Sequence, residues 1–212
     1  MRMAAPTGAG AARHCAHGDR CGRLRRGIAR TLRLCLWAML AGASLVATCR
    51  AQSAADTLEY RIKAAFVCKF AGYVEWPPSL FERPDSPIVI GVIANDAIAE
   101  ELARTAAGLS ADGRPLTVRK LGRGDPLTGA HLVYIAGADD ARIAETLASA
   151  RGQPVLVVTE SNLAMALGSM INFVVVDNKV RFDIAPQNAE LSRLKISARL
   201  LGVARNLITK AP

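Results

Sequence analysis

Leu58, Ile62, Ala65, Phe66, Phe70 and Tyr73 recur three or four residues apart, which predicts a helix with one broad apolar face across YRIKAAFVCKFAGYVEWPP, residues 60–78. Asp56 followed by Glu59 reads as a capping box at its start. Pro77 and Pro78 stop it, because neither ring nitrogen can donate. A helix ending at Glu75-Trp76 sets a carboxylate against the negative end of the helix dipole, which calls for a partner or a purpose. The next run, IVIGVI over 88–93, is nearly all apolar and rich in β-branched residues, the pattern of a strand buried on both faces. Asn95 and Asp96 cap a helix to about Ala107, and Glu100 and Glu101 fall in its early turns.

Residues 115–121 form a more polar strand near an edge, and the three glycines and one proline of 122–129 form a loop. A buried-type strand over 131–136, a helix over 139–150 and a strand over 154–159 repeat the alternation. Two strand–helix–strand units with such strands predict a mostly parallel central sheet flanked by helices, an α/β fold in a single domain. The pattern then changes. Residues 170–176 and 179–184 read as a C-terminal β-hairpin around Asp177-Asn178, two residues that tolerate positive backbone angles. Pro186 begins a long final helix to about Leu207, with Leu191, Leu194, Leu200, Leu201, Ala204 and Ile208 on its apolar face.

The formal charge of +9 on 212 residues points at first to an anionic partner. Its distribution removes that reading. Residues 1–51 hold nine arginines against Asp19, whereas the remainder is close to neutral, so the main body gives no support for a nucleic-acid partner. Arg23, Arg25, Arg26, Arg30 and Arg33 precede an uncharged run of 16 residues, 34–49, that ends at Cys49-Arg50-Ala51. This is the order of a secretory signal peptide cleaved after Ala51, with residues 52–212 as the exported domain. The run is shorter than the ~20 residues that span a bilayer. An uncleaved anchor and a lipidated Cys49 are the alternatives. The same cut leaves Cys68 as the single cysteine, which excludes an internal disulfide and favours a small buried hydrophobe.

The chemistry expected of an enzyme is thin. No G-x-G-x-x-G opens a helix, so no dinucleotide cofactor is predicted, and no G-x-S-x-G elbow is present. His131 is the only histidine outside the leader, so no histidine pair offers a metal site. Glu160, Ser161 and Asn162 follow a strand where parallel sheets place ligand groups; they read as a helix cap or as part of a site. Arg181 alternates with Val180 and Phe182 and is either a solvated residue or a donor fork for a carboxylate. Asn172 and Glu160 border core strands and are expected at the same sheet end as Arg181. Glu75 and Trp76 either anchor the helix end or belong to a binding surface.

Four blocks in order, KAAFVCKFAGYVEWP, PIVIGVIAND, INFVVVDNKVRFDI and SRLKISARLLGVA, resemble the YfiR family of periplasmic regulators, and the resemblance covers residues 58–207. It implies an exported, non-catalytic α/β domain that binds the periplasmic sensory part of a membrane-bound diguanylate cyclase and represses cyclic di-GMP synthesis. Related modules stand in front of membrane sensor kinases, which are the second kind of partner implied. A periplasmic module that binds a small ligand near Glu160 and Arg181 and feeds a membrane sensor is the alternative, and a homodimer stays open. Two departures limit the transfer. Ala185 stands where family members often carry Asn, removing a helix cap, and Ala130 replaces a frequent cysteine, so redox sensing through a disulfide is not implied here.

Overall fold

Helix α1 runs over 56–71 in the computed structural model, which describes residues 56–161 and 163–209. The leader, Cys49 and Asn162 lie outside the described residues. Asp56 is already helical, and the Glu59 carboxylate turns to Lys63 rather than back to a cap. The helix stops at Ala71, short of the expected Glu75-Trp76 end. Gly72 and Tyr73 turn the chain, and Val74–Glu75 forms a short strand, β1, paired antiparallel with β9, Lys195–Ile196. Val74 is β-branched, and the backbone bonds offered by the distant Lys195-Ile196 outweigh one more helical turn. Glu75 therefore never meets a helix dipole.

The parallel strands are β2 (Ile88–Ile93), β4 (Arg114–Lys120), β5 (Leu132–Ile135), β6 (Leu156–Thr159) and β7 (Ile171–Val176). Beside β7 the chain returns antiparallel as β8 (Lys179–Ile184). Two-residue strands finish the edges: β3 (Ser110–Ala111) on β4 and β10 (Asn206–Leu207) on β8. The eight-stranded order is β10-β8-β7-β6-β5-β2-β4-β3. The sequence reading of a mostly parallel sheet with a C-terminal hairpin is thus met.

Both faces are covered, as the β-branched runs require. Ile90, Val92, Leu132, Leu156, Val158 and Ile171 share a core with α1 and with α2 (Asp96–Ala106). Val133, Ile135 and Val157 share the second core with α3 (Asp140–Ala150) and α4 (Ala164–Leu167). Asn95 caps α2 by accepting from the Ile98 amide at 3.0 Å, and Asp139 caps α3 by accepting from Arg142 at 2.7 Å. Gly91 belongs inside its strand for a packing reason. A Cβ there would stand 2.6 Å from a Leu121 methyl, so glycine lets the exit of β4 close over β2.

The long final helix is corrected by the structure. It is broken into α5 (Pro186–Leu191), β9, α6 (Ala198–Leu201) and β10. Ala185 supplies no side-chain cap to α5, and Arg193 takes a left-handed φ of 60°, which ends the helical path. Leu194 is then fully buried while Leu191 stays exposed, so the apolar spacing is used by a wrapping segment rather than one helical face. Ser197 starts α6 afresh, its hydroxyl accepting from the Leu200 amide.

Candidate functional site

The carboxyl ends of parallel strands are where α/β sheets present ligand groups. Here Glu160 leaves β6 on the α1 side of the sheet. Lys63 comes down from α1 and reaches Glu160 at 2.9 Å and Glu59, one turn earlier on its own helix, at 2.5 Å. The Tyr134 hydroxyl on β5 donates to the other Glu160 oxygen. Lys63 and Tyr134 are buried, and the Glu160 side chain keeps 22% exposure.

Burial alone would depress the Lys63 ammonium. Its hydrogen bonds to Glu59 and Glu160 outweigh burial and hold its pKa above the ordinary lysine value. Burial, and then the Glu160 charge, push the Tyr134 phenol well above its ordinary range. Near neutral pH the group therefore stands as an ammonium between two carboxylates beside a neutral phenol. It holds no free amine to act as a nucleophile. It can fasten α1 to the sheet exit and leave Glu160 lone pairs facing outward to accept a donor.

The opposite face carries different chemistry. In-register pairing sets Asn172 beside Thr159 and Asp183 beside Asn172. The Thr159 hydroxyl donates to Asn172 Oδ1 at 2.8 Å, with Ser169 Oγ at the same distance from Thr159. Asn172 is buried, so its amide is engaged within the sheet. Arg205 clamps Asp183 with two nitrogens, Nε at 2.8 Å from Oδ1, and so ties β10 to β8. Arg181 is exposed opposite Val174, without an ion pair among the described residues. Side chains alternate along a strand, which places Arg181 on the Asn172 face and away from Glu160. The three residues expected at one sheet end are therefore not brought together, and no shared Glu160–Arg181 pocket forms.

Glu75 is exposed and lies 3.7 Å from Lys195 across the β1–β9 pair. Trp76 is half-buried; its indole N–H donates to the Ala71 carbonyl at 3.0 Å and its ring meets His131 edge-on. Cys68 lines a groove of about 480 Å³ between α1, α2 and β3, with Tyr73 and Leu109 on its rim. Burial pushes the Cys68 thiol up to about 11, which keeps it protonated and inert.

Sequence reasoning missed Lys63, Tyr134, Asp183 and Arg205. The available signals were a lysine at apolar helical spacing and a phenol inside a buried strand, both of which demand polar partners. Among the described residues no group of three His, Cys, Asp or Glu is placed to hold a metal ion, and no helix is long and apolar enough to cross a membrane.

No curated protein matches the chain. The family described as YfiR/HmsC-like matches over residues 60–205, from the second turn of α1 to the Arg205 clamp. With well over half its length inside that match, the chain belongs to the YfiR/HmsC-like family.

Proposed function

We propose that this protein is an exported, non-catalytic regulator whose mature form, 52–212, binds the periplasmic sensory part of a membrane-bound diguanylate cyclase and restrains cyclic di-GMP synthesis. The observation that carries the reading is the family match over nearly the whole described domain. Deleting the protein in its own host is expected to raise cellular cyclic di-GMP and favour biofilm growth. Unchanged cyclic di-GMP in a clean deletion, with the wild-type protein shown to be expressed, removes the reading.

The partner surface proposed is the β7–β8 hairpin. Its tip turns through Asp177 and Asn178 at φ of 50° and 56°, and Val175 and Val176 are exposed beside it. Exposed β-branched side chains next to an arginine fork suit a partner that offers a carboxylate and an apolar contact. Glu160 accepts a donor from the α1 side, Asn172 fixes the strand that carries the tip, and Glu75 and Trp76 form a separate patch for a sensor-kinase domain or a second copy.

Arg181→Ala is expected to weaken binding to the cyclase's periplasmic part by about 1.5–3 kcal/mol, the range for a lost hydrogen bond to a charged group. Stability should change by no more than about 0.5 kcal/mol, as for surface positions generally. Titration calorimetry and thermal melting on one purified variant separate the two. Unchanged affinity, or affinity lost in step with stability, takes Arg181 out of the surface.

A further inference from the structure

The segment over 76–87 crosses the amino ends of β2 and β5 with only one turn of 3-10 helix, Pro78–Leu80. Regular backbone pairing does not hold it there; His131 and Arg114 do. The Val89 amide donates to His131 Nδ1 at 3.1 Å. Phe81 stacks on the imidazole at 4.7 Å with 12° between the planes, and Trp76 meets it edge-on at 5.9 Å. The Arg114 guanidinium lies 3.7 Å over the Phe81 ring. Its NH1 donates to the carbonyls of Arg83 at 2.9 Å and Ser86 at 3.0 Å.

A neutral imidazole has one donor and one acceptor, and here the acceptor Nδ1 is taken by the Val89 N–H. A second proton has to enter at Nδ1, where the Val89 N–H already points. Acceptor and donor then become two donors facing each other. The charged groups near the ring give the new cation no relief. Arg114 approaches from β4 with the same sign, β2 contributes none, and on the segment itself Arg83 pairs with Asp85 while Glu82 is exposed. No carboxylate among the described residues bonds to the imidazole.

We propose that His131 is a pH-sensitive latch: the neutral ring holds the 76–87 strap against the sheet, and protonation releases it. Burial lowers the proton affinity of the latched ring below that of a free histidine; the Leu80 backbone offsets part of this, and the Arg114 charge adds a smaller lowering. The released state therefore binds the proton more readily, and the sign follows. Latching is fully present above the ordinary histidine value of about 6.5 and is lost as pH falls below it toward the latched pKa. This device acts on the strap alone and stands whether or not the proposed partner is the right one.

Hydrogen exchange of the full chain between about pH 7.5 and pH 5, corrected for intrinsic rates, reads the latch directly. Protection of Val89 and the strap should fall by up to about tenfold per pH unit, the limiting slope for one coupled proton. Segments from β5 and β6 should hold their protection. The imidazole resonance of His131, the only histidine beyond residue 51, should titrate over the same pH range as the opening. His131→Gln can accept and donate but cannot titrate, so its strap is expected to lose the pH dependence. A variant strap open at every pH also supports the latch, since the imidazole on which Phe81 and Trp76 pack is then shown to hold it. Wild-type protection that stays flat while the ring titrates, or an equal acid loss in His131→Gln, overturns the proposal.

Discussion

Lys63→Met is expected to lower the unfolding free energy by about 3 kcal/mol, the lower end of the cost of removing one partner from a buried ion pair. The ammonium is 6% exposed and stands between Glu59 and Glu160 at 2.5 and 2.9 Å. Its loss leaves two carboxylates close together with only Tyr134 donating to one of them. Their own partial exposure, 35% and 22%, lets water recover part of the cost, hence the lower end. Adding Glu160→Gln to the variant should return about 1 kcal/mol, because a charge without its counter-ion is then removed. The pH dependence has a definite sign. A raised lysine pKa makes the contribution full below the ordinary value of 10.5 and lost as pH climbs through the higher folded value. Urea unfolding near neutral pH and in alkali tests both parts, and a loss under about 1 kcal/mol at neutral pH would show the network to be dispensable.

Phe70→Ala is expected to cost about 4 kcal/mol, the usual range for emptying a buried aromatic site. Phe70 is fully buried and its ring lies 6.1 Å from Phe66, 5.7 Å from Phe173 and 5.1 Å from Phe182. These rings join α1 to both strands of the hairpin, so the cavity falls between elements that have no backbone bonds to each other. Relaxation into such a gap requires a helix to move, which keeps the cost high. Phe66→Ala, at a half-buried position, should cost about half as much. The urea slope should stay unchanged in both variants. A Phe70→Ala loss below about 2 kcal/mol would mean that α1 can settle onto the hairpin without its aromatic contacts.

The strands were legible because burial on both faces leaves a signature that needs no partner to recognise. IVIGVI and HLVYIA could belong to little else once the caps at Asn95 and Asp139 marked the helices between them. The final segment was not legible, because Leu191, Leu194, Leu200 and Leu201 fit helical spacing equally well when half of them serve a wrapping chain. Its interruption follows from Lys195-Ile196 pairing with Val74-Glu75, a contact between distant parts of the sequence. The same contact shortens α1, so one long-range pairing accounts for both misplaced helix ends. Lys63 was not legible as a paired residue because the second of its two carboxylates comes from the end of another strand. Glu160, Asn172 and Arg181 could be placed near one sheet end but not on a face. Facing is a matter of odd and even count, fixed only when the register Thr159 to Asn172 and Val174 to Arg181 is known.

The pairing of β1 with β9 also sets an order of assembly. A chain delivered amino end first, from a ribosome or through a secretion channel, presents α1 long before the strands that α1 must cover. Phe66 and Phe70 have no seat until β7 and β8 arrive, and β1 has no partner until Lys195-Ile196 follows. Contacts of such sequence separation form late and slowly, since the loop they close must first be ordered. The domain therefore stays threadable until nearly all of it has emerged. A translation stop before residue 195 would release a product with an aromatic helix face uncovered, suited to capture by chaperones and proteases rather than to partial function.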